Sequence, residues 1–264
     1  MTGAPLLVES RADRVMATLN RPEKRNAIDQ EMIDALHALC SELETEPRTL
    51  IITGDDEVFA AGADIAQLRD RRAPDARRAI NATAFIRIAE LPMPVIAAIS
   101  GYALGGGAEL AYAADLRIGS PTLKIGNPET GLGIIAAAGA TWRLPEIIGH
   151  ARASDLLLTG RILDADDALA WGLISSIHPA DELLDAAHAM ADRIAANDPL
   201  ATRHTKRALR APRHEHPDIE RELQAELFES DEKHRRMTEF LERRARRAGS
   251  PPRAASPSPT EEDR

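Results

Sequence analysis

Short apolar runs and stretches of helical spacing alternate along the first two thirds of this chain, and helical spacing alone fills the last third. Residues 5–10 and 15–20 are apolar runs separated by Arg11-Ala12-Asp13-Arg14, the pattern of a β-hairpin, which the polar segment 20–26 ends. From Asp29, a residue suited to a helix N-cap, Met32, Ile33, Leu36, Leu39, Cys40 and Leu43 keep helical spacing to about Thr45. Residues 49–53 supply the next strand, and the small-residue turn Ala60-Ala61-Gly62-Ala63-Asp64-Ile65 opens another helix. Residues 69–75 read as a polar connector before a helix over about 76–90. Residues 94–99 then form an apolar, β-branched run of the kind found in buried strands. It passes through Gly105-Gly106-Gly107 into Ala108-Glu109-Leu110-Ala111, a helix start.

Further strands are expected at 116–119, 123–126 and 174–177, and helices at 136–148, 152–158 and 164–170. From residue 181 the pattern is helical throughout: 181–196, 199–210, 219–229 and 232–247. Strands alternating with helices and then helices alone predict an α/β core over 1–198 and a C-terminal helical region over 199–248. Residues 249–264, with four prolines, several serines and an acidic cluster, are expected to be disordered.

Composition narrows the chemistry. The 264 residues are 44% hydrophobic and 28% charged, with a formal charge of −9, so attraction to nucleic acid is not expected; 3% aromatic residues leave few stacking platforms for bases. No run approaches the roughly 18 apolar residues of a membrane span and the first ten residues do not read as a secretory signal, so the expected compartment is the cytoplasm. One cysteine, Cys40, excludes an intrachain disulfide and reads as a small core residue. The eight histidines show no metal-ligand spacing, and no metal is expected. Basic clusters at 69–78 and 235–247 read as solvated helical faces, with a phosphorylated small molecule as the other reading.

A strand, a glycine turn and a helix start suit a ligand that carries negative charge, because the helix N-terminus presents unpaired N–H groups and glycines admit close approach. A carboxylate, Glu109, stands in that helix, and a second, Glu129, follows in Asn127-Pro128-Glu129-Thr130-Gly131-Leu132-Gly133.

These segments, together with Asn20-Arg21-Pro22-Glu23-Lys24-Arg25-Asn26-Ala27-Ile28, Phe59 to Ile65, Leu158-Thr159-Gly160-Arg161 and Ala170-Trp171-Gly172-Leu173-Ile174, resemble the crotonase (enoyl-CoA hydratase/isomerase) superfamily over nearly the whole chain. The resemblance implies a crotonase-like spiral of ββα units with C-terminal helices used for trimer assembly, commonly as a dimer of trimers. It implies an acyl-CoA thioester substrate whose carbonyl becomes an oxyanion, with the backbone N–H groups of Ala63 and Gly106 as the oxyanion donors. Glu109 falls where the family orients and deprotonates water, and Glu129 where it exchanges the α proton, which makes hydration of trans-2-enoyl-CoA the expected reaction. Coenzyme A is then part of the substrate, and no separate cofactor is expected.

Lys24, Arg25 and Ala61 fall where the family binds the CoA nucleotide, and Arg243 is the candidate for a basic residue lent by a neighbouring subunit. Lys24 and Arg25 are equally ordinary exposed loop charges, and Asp64 reads as a helix cap. Isomerisation, in which a single carboxylate shuttles the proton, and CoA-ester binding without turnover are the rival readings. Ala136-Ala137-Ala138 stands where family hydratases carry proline and glycines, a departure expected to narrow the pocket near Glu129 and leave the carboxylates alone. Trp142 and Trp171 read as core or pocket wall.

Overall fold

The computed structural model describes residues 3–248. The strands are Leu6–Ser10 (β1), Arg14–Leu19 (β2), Thr49–Thr53 (β3), Val58–Ala60 (β4), Val95–Ile99 (β5), Tyr102–Leu104 (β6), Leu116–Gly119 (β7), Lys124–Gly126 (β8) and Ile162–Asp164 (β9). The helices are Gln30–Thr45 (α1), Ile65–Asp70 (α2), Ala73–Arg78 (α3), Ile80–Glu90 (α4), Gly106–Ala113 (α5), Ala140–Ile148 (α6), His150–Thr159 (α7), Ala165–Ala170 (α8), Leu183–Ala195 (α9), Pro199–Arg210 (α10), Asp218–Phe228 (α11) and Asp231–Ala248 (α12). They fall into two compact units, divided between Leu209 and Arg210.

In the first unit β1-β2-β3-β5-β7 form one sheet and β4-β6-β8-β9 another. The β1/β2 and β8/β9 pairs are antiparallel and all others parallel. Each pass of the chain therefore gives one strand to the first sheet, the next to the second, and then a helix: β3-β4 and α2 to α4, β5-β6 and α5, β7-β8 and α6. Repetition of that unit is the ββα spiral. It explains why β3 and β5 are buried at every position, since a parallel sheet with cover on both faces has no wet side. Alternate residues serve two cores: Leu50, Ile52, Val95 and Ala97 join Met32, Leu36, Phe85 and Ile88 of α1 and α4, while Ile51, Ile96 and Ile118 pack under Leu183, Ala187 and Ala191 of α9. The Asp29 cap on α1 accepts from Met32 N–H at 2.9 Å and pairs with Arg21 at 2.8 Å, which ties the polar loop to the helix.

Several expectations are corrected. The short parallel-paired strands β4 and β6 were not expected, nor was β9, because three residues are too short to show alternation. The helix expected from 76 begins instead at Ile80, after a separate short helix, because Ala79 turns to φ 50°. Residues 174–177 form no strand: the N–H groups of Leu173 and Ile174 turn back to Ala168 O, leaving Ile177 a single bridge to Gly119. The helix expected over 136–148 begins only at Ala140, where Gly139, at φ 138°, has left the helical region. Residues 249–264, expected to be disordered, lie outside the described residues. Among the described residues no helix is long and apolar enough to cross a membrane.

One close backbone approach is between α5 and β4. A Cβ on Gly107 would stand 2.2 Å from Ala60 O and 2.7 Å from Ala60 Cβ. Gly107→Ala should therefore destabilise the first unit by about 3 kcal/mol, the upper range for overpacking, read as a lower midpoint in thermal or denaturant unfolding. An unchanged midpoint would mean that α5 can move off the sheet at little cost.

The second unit is helical. α12 is laced by ion pairs of Arg235 and Arg236 with Glu232, of Arg235 with Glu239, and of Arg246 with Glu242. It exposes Met237, Phe240 and Leu241 at helical spacing.

Candidate active site

The turn from β6 into α5 builds one side of the site. Gly105 leaves the strand at φ 52°, and Gly106 becomes the first residue of α5, with no carbonyl one turn back to receive its N–H. Beside it, Ile28 N–H donates to Gly62 O (2.8 Å) and Asp64 N–H to Ile28 O (3.1 Å), which pins the backbone on both sides of Ala63. A Cβ on Gly106 would lie 3.4 Å from Ala63 N, so the two small residues stand side by side and a larger one at 106 would press on the Ala63 amide. Asp64 caps α2, accepting from Ala66 N–H (3.0 Å) and Gln67 N–H (3.2 Å).

Glu109 lies one turn along α5 and is buried. Its Oε1 accepts two backbone N–H groups, from Ala138 at 2.7 Å and Ala140 at 3.1 Å. Those amides flank Gly139, whose backbone conformation aims both at one oxygen. Burial pushes the Glu109 carboxyl up to about 7; the two N–H bonds and Arg143 oppose that rise, and the charge of Glu129 adds to it.

Glu129 comes from the 3-10 turn Pro128–Leu132 and is also buried. Its Oε1 accepts from Asn127 Nδ2 at 3.4 Å and lies against Gly105, where a Cβ would come within 2.9 Å. Its Oε2 is buried with no hydrogen-bond partner among the described residues. Burial raises its pKa, with its own N–H and Asn127 pulling the other way. Asn127 is in turn fixed by Tyr112 of α5, whose hydroxyl donates to Asn127 Oδ1 at 3.0 Å.

Ala61, Ala63, Gly106, Glu109 and Glu129 line one cavity of about 680 Å³. Ile65, Leu68, Leu132, Ile134 and Ile135 give it apolar walls, and Arg71 and Arg72 of the basic cluster also line it. A second cavity, of about 240 Å³, shares Glu129 and Ile135 with the first and extends to His150 and Leu157. Lys24 and Arg25 line neither cavity and are exposed on the loop where Arg25 O accepts Ala61 N–H at 3.0 Å; the Arg25 guanidinium lies 5.2 Å over the Tyr102 ring. Arg243 is exposed on α12 of the second unit.

Two participants were missed from sequence, the Ala138 and Ala140 amides. Contrary to expectation, the alanine segment does not leave the carboxylates alone, because its backbone holds Glu109. The one available signal was the glycine inside a segment read as helix. Trp142 is no part of the core or of either cavity wall: it is 42% exposed. Cys40 is a buried thiol that burial pushes up to about 11, and it is inert on that ground. Among the described residues no group of three or more His, Cys, Asp or Glu could hold a metal.

The raised Glu109 pKa links to stability. Native Glu109 holds its proton more tightly than a free glutamate of pKa 4.5, so native stability falls as pH rises from about 4.5 through about 7. Glu109→Gln carries no such charge. In thermal melts its midpoint should gain on wild type through that window, and a constant difference would contradict the raised pKa.

A spiral of strand-strand-helix turns, with two buried carboxyl groups and two adjacent small residues around one cavity, defines a protein of the crotonase class. The Enoyl-CoA hydratase/isomerase family model matches residues 12–248, and the chain belongs to that family. It is 40% identical over 252 residues to "Probable enoyl-CoA hydratase echA8" of Mycobacterium tuberculosis, covering 93% of this chain and 98% of the relative. Against "Crotonyl-CoA hydratase" of Syntrophomonas wolfei it is 36% identical over 250 residues, covering 90% and 95%. The crystal structure of an enoyl-CoA hydratase from Bacillus anthracis superposes with a TM-score of 0.86 at 32% identity, covering 90% of this chain and 96% of that one.

Proposed function

We propose that this protein hydrates trans-2-enoyl-CoA to 3-hydroxyacyl-CoA, reversibly. The observation that carries the reading is the presence of two buried carboxyl groups and the Ala63 and Gly106 amides around one cavity. The Ala63 and Gly106 N–H groups bind the thioester oxygen as it takes on charge. Glu109 orients water at the β carbon; the water oxygen bonds that carbon and its proton passes to the Glu109 carboxylate. The enolate electron pair then takes a proton at the α carbon from Glu129, and the carbonyl re-forms. Two features suit this division of roles. Glu109 has two N–H donors that hold its Oε1 in place and oppose the rise in pKa that burial imposes, and Glu129 has an oxygen with no partner among the described residues. The two groups titrate as a pair.

Water and two carboxyl groups balance the reaction, so no metal or redox group is required, and coenzyme A enters as part of the substrate. The apolar walls receive the acyl chain. Lys24 and Arg25, beside Ala61, bind the CoA nucleotide, joined by Arg243 of another copy in a trimer or a dimer of trimers. The exposed Met237, Phe240 and Leu241 of α12 support association of copies, since apolar residues grouped on one helix face gain by being covered. The proposed compartment is the cytoplasm. The test is loss of the conjugated enoyl-thioester absorbance on mixing with crotonyl-CoA and longer enoyl-CoAs, with the 3-hydroxy product identified by mass. No turnover across chain lengths would overturn the reading.

A further inference from the structure

The segment that holds Glu109 is itself held by a buried cation. Arg143 stands in the first turn of α6 and is 9% exposed. Its backbone N–H donates to Gly139 O at 2.9 Å, and its Nη1 donates to Ala138 O at 3.4 Å. The guanidinium lies so close on Gly139 that a Cβ there would come within 2.2 Å of Nη1, and the Trp142 ring sits 5.0 Å from its central carbon. Both amides that bind Glu109 Oε1 therefore flank the one residue that the guanidinium covers.

We propose that Arg143 is a positioning residue for Glu109: it fixes the 138–140 turn so that two N–H groups meet the carboxylate, and it places a positive charge behind them. Its consequence for the reaction rests on the reading of Glu109 as the water-activating group; its consequence for the Glu109 carboxyl does not. A lysine would supply the charge without the planar fork that grips the turn.

The charged and titratable groups acting on Glu109 are Arg143 of α6, Glu129 of the Pro128–Leu132 turn and Tyr112 of its own helix. Of the other elements packed on α5, α4 carries Arg87, which pairs with Glu44 of α1, and Glu90; β6 carries Tyr102, and β4 carries no titratable group. Among the described residues, Arg143 is the one cation among the groups that shift Glu109, and it acts to lower its pKa.

The experiment follows the Glu109 carboxyl directly, by 13C NMR of protein labelled at glutamate Cδ, with the signal assigned through its loss in Glu109→Gln. In Arg143→Met the titration midpoint should rise by about half to one pH unit, a three- to tenfold tighter proton, and Arg143→Lys should recover about half of that. With substrate, the acidic limb of the kcat/KM profile should move up by the same amount. Should the methionine variant not fold, Arg143→Gln, which keeps a donor without the charge, takes its place with the same expected rise. An unchanged midpoint in whichever of these two folds overturns the proposal. The titration is read without substrate, so absence of hydratase turnover would defeat the proposed function and leave this result standing. A normal hydratase whose Glu109 midpoint ignores Arg143 would do the reverse.

Discussion

Glu109→Gln and Glu129→Gln should each lower kcat for crotonyl-CoA hydration by about a hundred- to ten-thousandfold, with CoA-ester affinity changed only a few fold. Glutamine keeps the shape of the side chain and can still accept the Ala138 and Ala140 amides through its oxygen, so packing is retained and the proton function alone is removed. The double variant should fall little below the worse single one, because in the proposed mechanism both groups serve one addition of water and residues acting as a unit are not additive. Stopped-flow absorbance of the enoyl thioester measures the rates, and calorimetry with a non-reactive CoA ester measures the affinity. A variant at 109 that keeps full isomerase turnover and lacks hydration would reassign the protein to single-carboxylate proton shuttling. Full hydration in either variant would remove that residue from the mechanism.

Gly106→Pro should cost about a hundred- to a thousandfold in kcat, the typical loss for one oxyanion donor. A backbone donor cannot be deleted by changing a side chain, but proline lacks the N–H and is well tolerated at the first position of a helix, where Gly106 stands. Its ring also adds atoms beside Ala63 N, where a Cβ alone would lie at 3.4 Å, so the proposed thioester seat narrows as well. Gly106→Ala separates the two effects: it adds the Cβ and keeps the donor, and should lose much less kcat than proline. Equal losses in both variants, with folding intact by circular dichroism, would assign the defect to crowding and not to the N–H.

Much of this architecture is local in origin and was legible in the chain. The Asp29 cap and the apolar stripe of α1, the solid apolar runs of β3 and β5, and the glycine turn before α5 each follow from a few neighbouring residues. Their propensities agree with the fold, and the structure returns them within a residue or two. The strands β4, β6 and β9 were illegible because three residues carry no period, and their pairing is made by partners distant in sequence. The split between α3 and α4 hangs on one backbone angle at Ala79, a residue whose type gives no warning of it.

The sequence by itself determined which groups are available: two glutamates, small residues at Ala63 and Gly106, and glycines where backbone must come close. It also marked the helix start on which Gly106 sits. What only the tertiary structure decided is how those groups are held. Ala63 and Gly106 are brought side by side because Gly62 and Asp64, on either side of Ala63, are hydrogen-bonded to Ile28, far back in the chain. Glu109 is gripped by amides about thirty residues onward because Gly139 breaks a run that reads as helix, and Arg143 covers that break. Hydrogen bonds and charges between segments act through distance in space, and neither periodicity nor composition records that distance.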